Sequence, residues 1–399
     1  MEKNNKTLNV PHLRFPEFSG EWDHISLSDI ADIVGGGTPD TSVVEYWGGN
    51  IQWFTPSEIG KEKYARLSER TITEAGIKNS SAKLLPQGTV LLSSRATIGE
   101  CSIARQECTT NQGFQSLIAK TDKVTSEFLY YLVPTIKKEM LRRSCGSTFL
   151  EISANELRKI YVYRPSLIEQ NKLAEFMSLL DLRIETQKKI IEKYESLIKG
   201  ITDKVFYTPH VYFLCSFGTL YKDAGEGGTP STSNPQYYED GTIPFIKIDD
   251  LSQKYLVAHK DCITELGLRN SSAWLIPTGS VLYSNGATIG AISINTYPVS
   301  TKQGILGIVP NDCVCAEYLY YLMTSKYFRK QVHRIITEGT MRTAYLKDIN
   351  RILCPVPDKN EQQSLAKSIS LVTRKIEIEK ATLKAFILQK RYLLSHLFI

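Results

Sequence analysis

Nowhere in the 399-residue chain do about 18 apolar residues run unbroken, so no segment reads as a membrane-spanning helix. Met1 to Asn9 is polar and charged and is followed by Pro11 and Pro16. It lacks the apolar core of a secretory signal, and a cytoplasmic location is expected. Cys-x-x-Cys pairs are missing too. The eight cysteines (Cys101, Cys108, Cys145, Cys215, Cys262, Cys313, Cys315, Cys354) are scattered, and the six histidines (His12, His24, His210, His259, His333, His396) show no ligand or triad spacing. Neither a zinc site nor a disulfide framework is expected; in a reducing cytosol the cysteines read as small buried apolar residues. A Gly-x-x-x-x-Gly-Lys-Ser/Thr phosphate loop is absent, which excludes an ATP-driven motor in this chain. Gly35-Gly36-Gly37 ends in Thr38-Pro39 and opens no predicted helix, so it is a poor dinucleotide fingerprint. Charge of one sign is scarce as well. The net charge is +6, and residues 1–165 carry 20 basic against 19 acidic side chains, 166–206 carry 7 against 7, 207–357 carry 13 against 12, and 358–399 carry 8 against 4. Charge alone points to no nucleic-acid partner.

What the chain does contain is a copy of itself. Gly36-Gly37-Thr38-Pro39 returns as Gly227-Gly228-Thr229-Pro230, Asn79-Ser80-Ser81-Ala82 as Asn270-Ser271-Ser272-Ala273, and Ala96-Thr97-Ile98-Gly99 as Ala287-Thr288-Ile289-Gly290, all at an offset of 191. Glu127-Phe128-Leu129-Tyr130-Tyr131-Leu132 returns as Glu317-Tyr318-Leu319-Tyr320-Tyr321-Leu322 at 190, and Glu169-Gln170 as Glu361-Gln362 at 192. One unit is used twice, with small length changes confined to loops, at a period too long for a solenoid.

Each unit has a globular part and a tail. In the globular part, β-rich runs such as Ile51 to Phe54 and Thr89 to Leu92 alternate with Gly, Pro, Asn and Ser clusters, while Ser126 to Arg143 and Ala316 to Arg334 read as helices. A mixed α/β fold follows. In the first tail, Leu173, Phe176, Leu180, Ile184, Ile191, Tyr194, Ile198, Ile201 and Val205 step by threes and fours, with Gln187 filling a gap. Leu365, Ile369, Val372, Ile376, Leu383, Phe386, Leu394 and Leu397 do the same in the second, so both tails carry a heptad seam. A helix of about 37 residues is roughly 55 Å long. It cannot hide its seam alone, so the two tails are expected to pair antiparallel about a pseudo-twofold axis. The rival arrangement packs each tail on its own domain. The division expected is two globular domains, 1–165 and 207–357, with long spacer helices at 166–206 and 358–399.

Two diverged globular units, each with Gly-Gly-Thr-Pro, Ala-Thr-Ile-Gly and Glu-Gln followed by a heptad helix, resemble the specificity subunit of type I restriction-modification enzymes. Leu13-Arg14-Phe15-Pro16-Glu17-Phe18-Ser19-Gly20-Glu21-Trp22 is similar to that family's start. The second unit departs from it, with Pro209-His210-Val211-Tyr212-Phe213 instead. The resemblance implies that each domain is a target-recognition domain reading half of a bipartite double-stranded DNA sequence. It also implies helices that set the gap and recruit two methyltransferase subunits, and a restriction/translocase subunit in the full complex. S-adenosylmethionine, ATP and Mg are then expected in those partners and no cofactor in this chain. Consistently, the Asn-Pro-Pro-Tyr type motif of an adenine methyltransferase is incomplete: Asn234-Pro235-Gln236-Tyr237 lacks the second proline, and Val43-Val44-Glu45-Tyr46 stands in the other copy.

Base edges are read by Arg, Lys, Asn, Gln, Ser and Thr, and phosphates by Lys and Arg. The repeat marks three loops where a constant frame carries variable neighbours: Ser94-Arg95 ahead of Thr97 against Asn285-Gly286 ahead of Thr288, Asn111-Gln112 against Lys302-Gln303, and Gly146-Ser147-Thr148 against Gly339-Thr340-Met341-Arg342. These are the candidate readers, with turn geometry as the alternative reason for their Gly and Asn. Lys137, Lys138, Arg142 and Arg143, and in the second unit Lys326, Arg329, Lys330 and Arg334, form a candidate phosphate track or an ordinary solvated face. Leu173, Leu180, Ile191, Ile198, Leu365, Val372, Ile376 and Leu383 are the candidate packing positions. The competing functions are a self-contained methyltransferase or nuclease, which the missing motifs disfavour, and a coiled-coil scaffold for protein partners only.

Overall fold

The computed structural model describes residues 9–146, 150–207, 212–286, 288–336 and 343–399. It divides into two compact units, Met1–Lys188 with Ala381–Ile399, and Lys189–Lys380. Each unit therefore takes half of each long helix.

In the first unit Ala31–Gly35, Gln115–Ala119, Val90–Leu92 and Cys101–Ile103 form an antiparallel sheet in that order. A second sheet sets Trp47–Phe54 between antiparallel Arg70–Ile72 and parallel Cys108–Thr110. A separate ladder joins Asp23–Ser26 to Tyr161–Arg164. The helix Ser126–Leu132 starts at Thr125, whose hydroxyl accepts from the Phe128 N–H at 3.2 Å. It covers the first sheet with Phe128, Leu129 and Leu132, all fully buried. The single helix expected over Ser126 to Arg143 is broken: Val133–Ile136 winds more tightly around Pro134, which lacks an N–H, and Lys137–Arg142 resumes as a helix.

The second unit repeats the plan. Tyr221–Glu226, Ile305–Pro310, Val281–Ser284, Ile292–Asn295 and Tyr255–Leu256 form one sheet, Asp261–Ile263, Ile243–Ile246 and Ser300–Thr301 another, and Phe213–Ser216 pairs with Leu353–Val356. Here the covering helix, Ala316–Thr324, is also interrupted. Ser325 adopts an extended conformation and caps Lys326–Ile335, its hydroxyl accepting from the Phe328 N–H at 3.1 Å. Cysteine burial is uneven: Cys101, Cys108 and Cys354 are buried, but Cys145 and Cys313 are exposed, because both lie in surface connections flanking helices.

The first long helix spans Leu167–Tyr207 and the second Lys359–Leu397. In the first unit Leu173, Ala174 and Met177 share a core with Leu397 and Phe398, and Asp181 pairs with Lys390 at 2.5 Å. In the second, Val205 and Phe206 share a core with Ala366 and Ile369, joined by Ile198, Ile201 and Leu365, and Glu195 pairs with Lys380 at 2.7 Å. Within each unit the numbering runs in opposite senses on the two helices, so they pack antiparallel. Ile191 and Ile376 are buried, and Leu180, Val372 and Leu383 half-buried. One seam position differs from expectation. Phe176 is 37% exposed and meets the Phe15 ring edge-on at 5.7 Å, whereas Met177 is fully buried. With Met177 in place of Phe176 the seam steps four, three, four, three without interruption from Leu173 through buried Gln187 to Val205.

Candidate nucleic-acid interface and helix anchorage

Two of the loops marked by the repeat meet in each unit, and the described segment that follows the third joins them. In the first, the Ser94 N–H donates to the Gly113 carbonyl at 2.9 Å and the Ile152 N–H to the Ser94 carbonyl at 3.0 Å. In the second, the Asn285 N–H donates to the Gly304 carbonyl at 3.0 Å and the Ala344 N–H to the Asn285 carbonyl at 2.9 Å. The backbone thus ties loops that lie far apart in sequence into one junction, built the same way twice. Gly-Gly-Thr-Pro joins it from the side: Gly37 donates to the Thr110 carbonyl at 2.8 Å and Gly228 to the Thr301 carbonyl at 3.0 Å. A Cβ at Gly36 or Gly227 would overlap the oxygens of Thr110 or Thr301, which is why glycine stands at both positions.

On this frame Ala96 has a left-handed backbone, φ 59°, and Gly99 has φ 87°. The Ser93 hydroxyl donates to the Arg95 carbonyl at 3.0 Å and meets the Thr97 hydroxyl at 2.9 Å, so the loop is held while Thr97 stays exposed. Arg95 is partly exposed, and its Nε and Nη2 both donate to Glu151 Oε2, at 3.0 and 2.5 Å. Gln112 is exposed and accepts from the Thr38 hydroxyl; Asn111 turns inward to accept from the Gly113 N–H at 2.8 Å. In the second unit Thr288, Lys302 and Gln303 are exposed. Asn285 is not a surface reader. It is 1% exposed and its Nδ2 donates to the Ala344 carbonyl at 3.3 Å, so it braces the junction. Ser147 and Arg342 lie outside the described residues.

The basic stripes differ between the units. In the first, Arg142 makes two hydrogen bonds to Glu139, Arg143 pairs with Glu139 and Glu156, and Lys137 pairs with Glu100 at 2.8 Å. Only Lys138 of that set is exposed without an ion pair among the described residues, so Arg142 and its neighbours do not form a free cationic track. In the second, Lys326, Arg329, Lys330 and His333 line a cleft of about 820 Å³ with Lys199 and Thr202 of the first long helix, Lys254 and Tyr321. Glu195 and Asp203 are the acids there.

The repeated Glu-Gln, flagged without a role by its recurrence, anchors the long helices. Gln170 is fully buried; its Oε1 accepts from the Thr125 N–H at 3.0 Å and its Nε2 donates to the carbonyls of Lys123 and Pro165, both at 2.9 Å. Gln362 does the same with the Cys315 N–H and the carbonyls of Cys313 and Pro357. Glu169 accepts from Arg14 at 2.8 Å and from the Trp22 indole at 3.3 Å, and this carboxylate raises the guanidinium pKa of Arg14. The Leu-Arg-Phe-Pro opening therefore supplies a partner for the helix start. Where the second unit lacks that opening, Tyr212 takes over, its hydroxyl donating to Glu361 at 2.6 Å. Among the described residues no group of three His, Cys, Asp or Glu side chains is placed to hold a metal, and no helix is long and apolar enough to cross a membrane.

A duplicated mixed α/β domain on paired long helices, with a loop junction common to both copies, defines a class of two-domain recognition proteins. Residues 19–196 and 218–389 match the type I restriction modification DNA specificity domain. The specificity subunit of the type I restriction enzyme MjaIX of Methanocaldococcus jannaschii is 30% identical over 375 residues, 88% of this chain and 86% of that one. That of EcoR124I/EcoR124II from Escherichia coli is 26% identical over 204 residues, 47% of this chain and 50% of that one. The crystal structure of the type I S subunit from M. genitalium superposes with a TM-score of 0.59 at 16% identity, covering 98% of this chain and 99% of that one. A chain from a structural study of type I R-M assembly and conformational transition gives 0.63 at 16% identity, covering 96% and 98%. The chain belongs to the type I restriction-modification specificity family, and its two globular domains are DNA target-recognition domains.

Proposed function

We propose that each target-recognition domain reads one half of a bipartite double-stranded DNA site through its loop junction, while the long helices set the gap and dock two methyltransferase subunits. On this reading the chain itself catalyses nothing and works in the cytoplasm. S-adenosylmethionine chemistry belongs to the methyltransferase subunits, and ATP- and Mg-dependent cleavage to a restriction/translocase subunit. The observation that carries the reading is the junction common to both units, with one backbone ladder and different residues at its tips: Arg95 and Asn111 in one stand where Gly286 and Lys302 stand in the other, around the shared Gln112 and Gln303. A constant frame with variable tips is what two readers of different sequences need. A protein-only scaffold has no use for such variation. Mapping methylated bases in cells with and without the gene tests it: one bipartite motif should vanish with the gene. Methyl transfer by the purified chain alone would refute the division of labour.

A further inference from the structure

Each recognition domain grips its long helix a second time, by a polar cluster that recurs in both units. In the first, Lys63 Nζ donates to Ser178 Oγ at 2.6 Å, the Tyr131 hydroxyl lies 3.2 Å from that oxygen, and the Lys63 ammonium sits 5.1 Å from the Tyr131 ring centroid. In the second, Lys254 Nζ donates to Ser370 Oγ at 2.8 Å, the Tyr321 hydroxyl lies 3.0 Å from that oxygen, and the ammonium is 4.6 Å from the Tyr321 ring centroid. The shell repeats as well: Tyr64 donates to Glu127 at 3.4 Å and Tyr255 to Glu317 at 3.2 Å. Both lysines are fixed through their backbones, the carbonyl of Lys63 accepting from the Ile103 N–H and that of Lys254 from the Ile294 N–H, each at 2.7 Å. Lys63, Tyr131 and Ser178 come from a loop, a covering helix and the long helix, as do Lys254, Tyr321 and Ser370.

A half-buried lysine bonded to a hydroxyl is an inefficient stabiliser, since apolar side chains of the same volume would pack without the desolvation cost. Burial indeed lowers the pKa of Lys63. Directional bonds give instead a single rotation and height of the helix against the domain. The distance between grips gives them leverage. Ser178 lies eight residues beyond Gln170, and Ser370 eight beyond Gln362, so about 12 Å separates the two on each helix. One anchor lets a helix pivot; two fix its direction.

We propose that Lys63–Tyr131–Ser178 and Lys254–Tyr321–Ser370 are positioning residues that lock each target-recognition domain to its long helix and so confine the complex to one gap between half-sites. This rests on the reading that the helices set the gap. The test uses the full chain co-expressed with its methyltransferase subunits. Methylation is measured on DNA bearing the mapped half-sites at the native gap and at gaps one base pair shorter and longer. Ser178→Ala with Ser370→Ala removes both hydroxyls while favouring the helix, so folding is preserved. The preference for the native gap should fall by about fivefold or more, the factor one net hydrogen bond is worth, with the half-site bases and the thermal midpoint unchanged. Ser178→Thr with Ser370→Thr should restore it, and Lys63→Met with Lys254→Met should repeat the loss. An unaltered gap profile in the alanine and methionine variants overturns the lock, as does relaxed base preference at a preserved gap. A wild type indifferent to the gap would overturn the ruler reading itself.

Discussion

Arg95 reaches its loop tip already held by Glu151, so a base that claims it must replace a charge-assisted bond rather than a free cation's hydration. That favours a partner offering two acceptors, as guanine O6 and N7 do, over a lone phosphate oxygen. Arg95→Ala is therefore expected to weaken discrimination at one base pair by about 1–3 kcal/mol. Lys330, exposed on its cleft and in no ion pair among the described residues, should behave oppositely: Lys330→Ala weakens all sequences alike and reduces the salt slope by about one unit. Titrations of the assembled complex against single-base variants at several salt concentrations separate the two. Indifference of every variant to Arg95→Ala would remove that loop from the reading surface. Cysteines give a check on the cores. Burial pushes the thiols of Cys101, Cys108 and Cys354 up to about 12, so at about pH 8 they stay protonated and enclosed. Ellman's reagent should label exposed Cys145 and Cys313 at once and those three only on unfolding; fast labelling of Cys354 would contradict the second core. From sequence alone all eight looked alike, because exposure of a small apolar residue depends on which surface connection it occupies.

Elements were legible in kind and less so in detail. Period three and four revealed both long helices, yet Phe176 and Met177 are both apolar and adjacent, and only the packed helix decides between i+3 and i+4 after Leu173. Met177→Ala should cost about 2–5 kcal/mol as a buried truncation, and Phe176→Ala about 1 kcal/mol, since its ring is partly solvated. Denaturant unfolding of the two variants measures this, and equal losses would mean the seam runs through Phe176. The breaks at Pro134 and Ser325 show the same limit: apolar spacing persists across them while the regular α-helical hydrogen-bond ladder does not. The reader loops were found through duplication, which exposes constant frames with variable tips. Duplication alone could not tell bracing Asn285 from exposed Thr288, because burial comes from Ala344 and Gly304, remote in sequence. Nor could it show that Tyr212 replaces Arg14, since a phenol and a guanidinium share no pattern, only a carboxylate partner.

At the scale of the whole molecule, the ruler reading makes a length prediction. Because each unit holds the start of one long helix and the end of the other, lengthening the first alone would put the antiparallel pair out of step. Leu397 and Phe398 would then be drawn from the core they share with Leu173 and Met177. The insertion must be made in both helices, after Lys188 and after Lys380, where the units divide. Four residues in each add about 6 Å and slightly more than one turn, a stutter that a heptad seam absorbs by local unwinding. At about 3.4 Å per base pair this corresponds to close to two base pairs. The complex should keep both half-sites and prefer a gap longer by that amount. Two residues in each helix rotate the seam by about 200°, turning Ile191 and Ile376 outward, and should abolish assembly instead. Methylation of a DNA library with stepped gaps reads both variants. If the four-residue pair still acts on the original gap, the helices do not measure the distance between the half-sites.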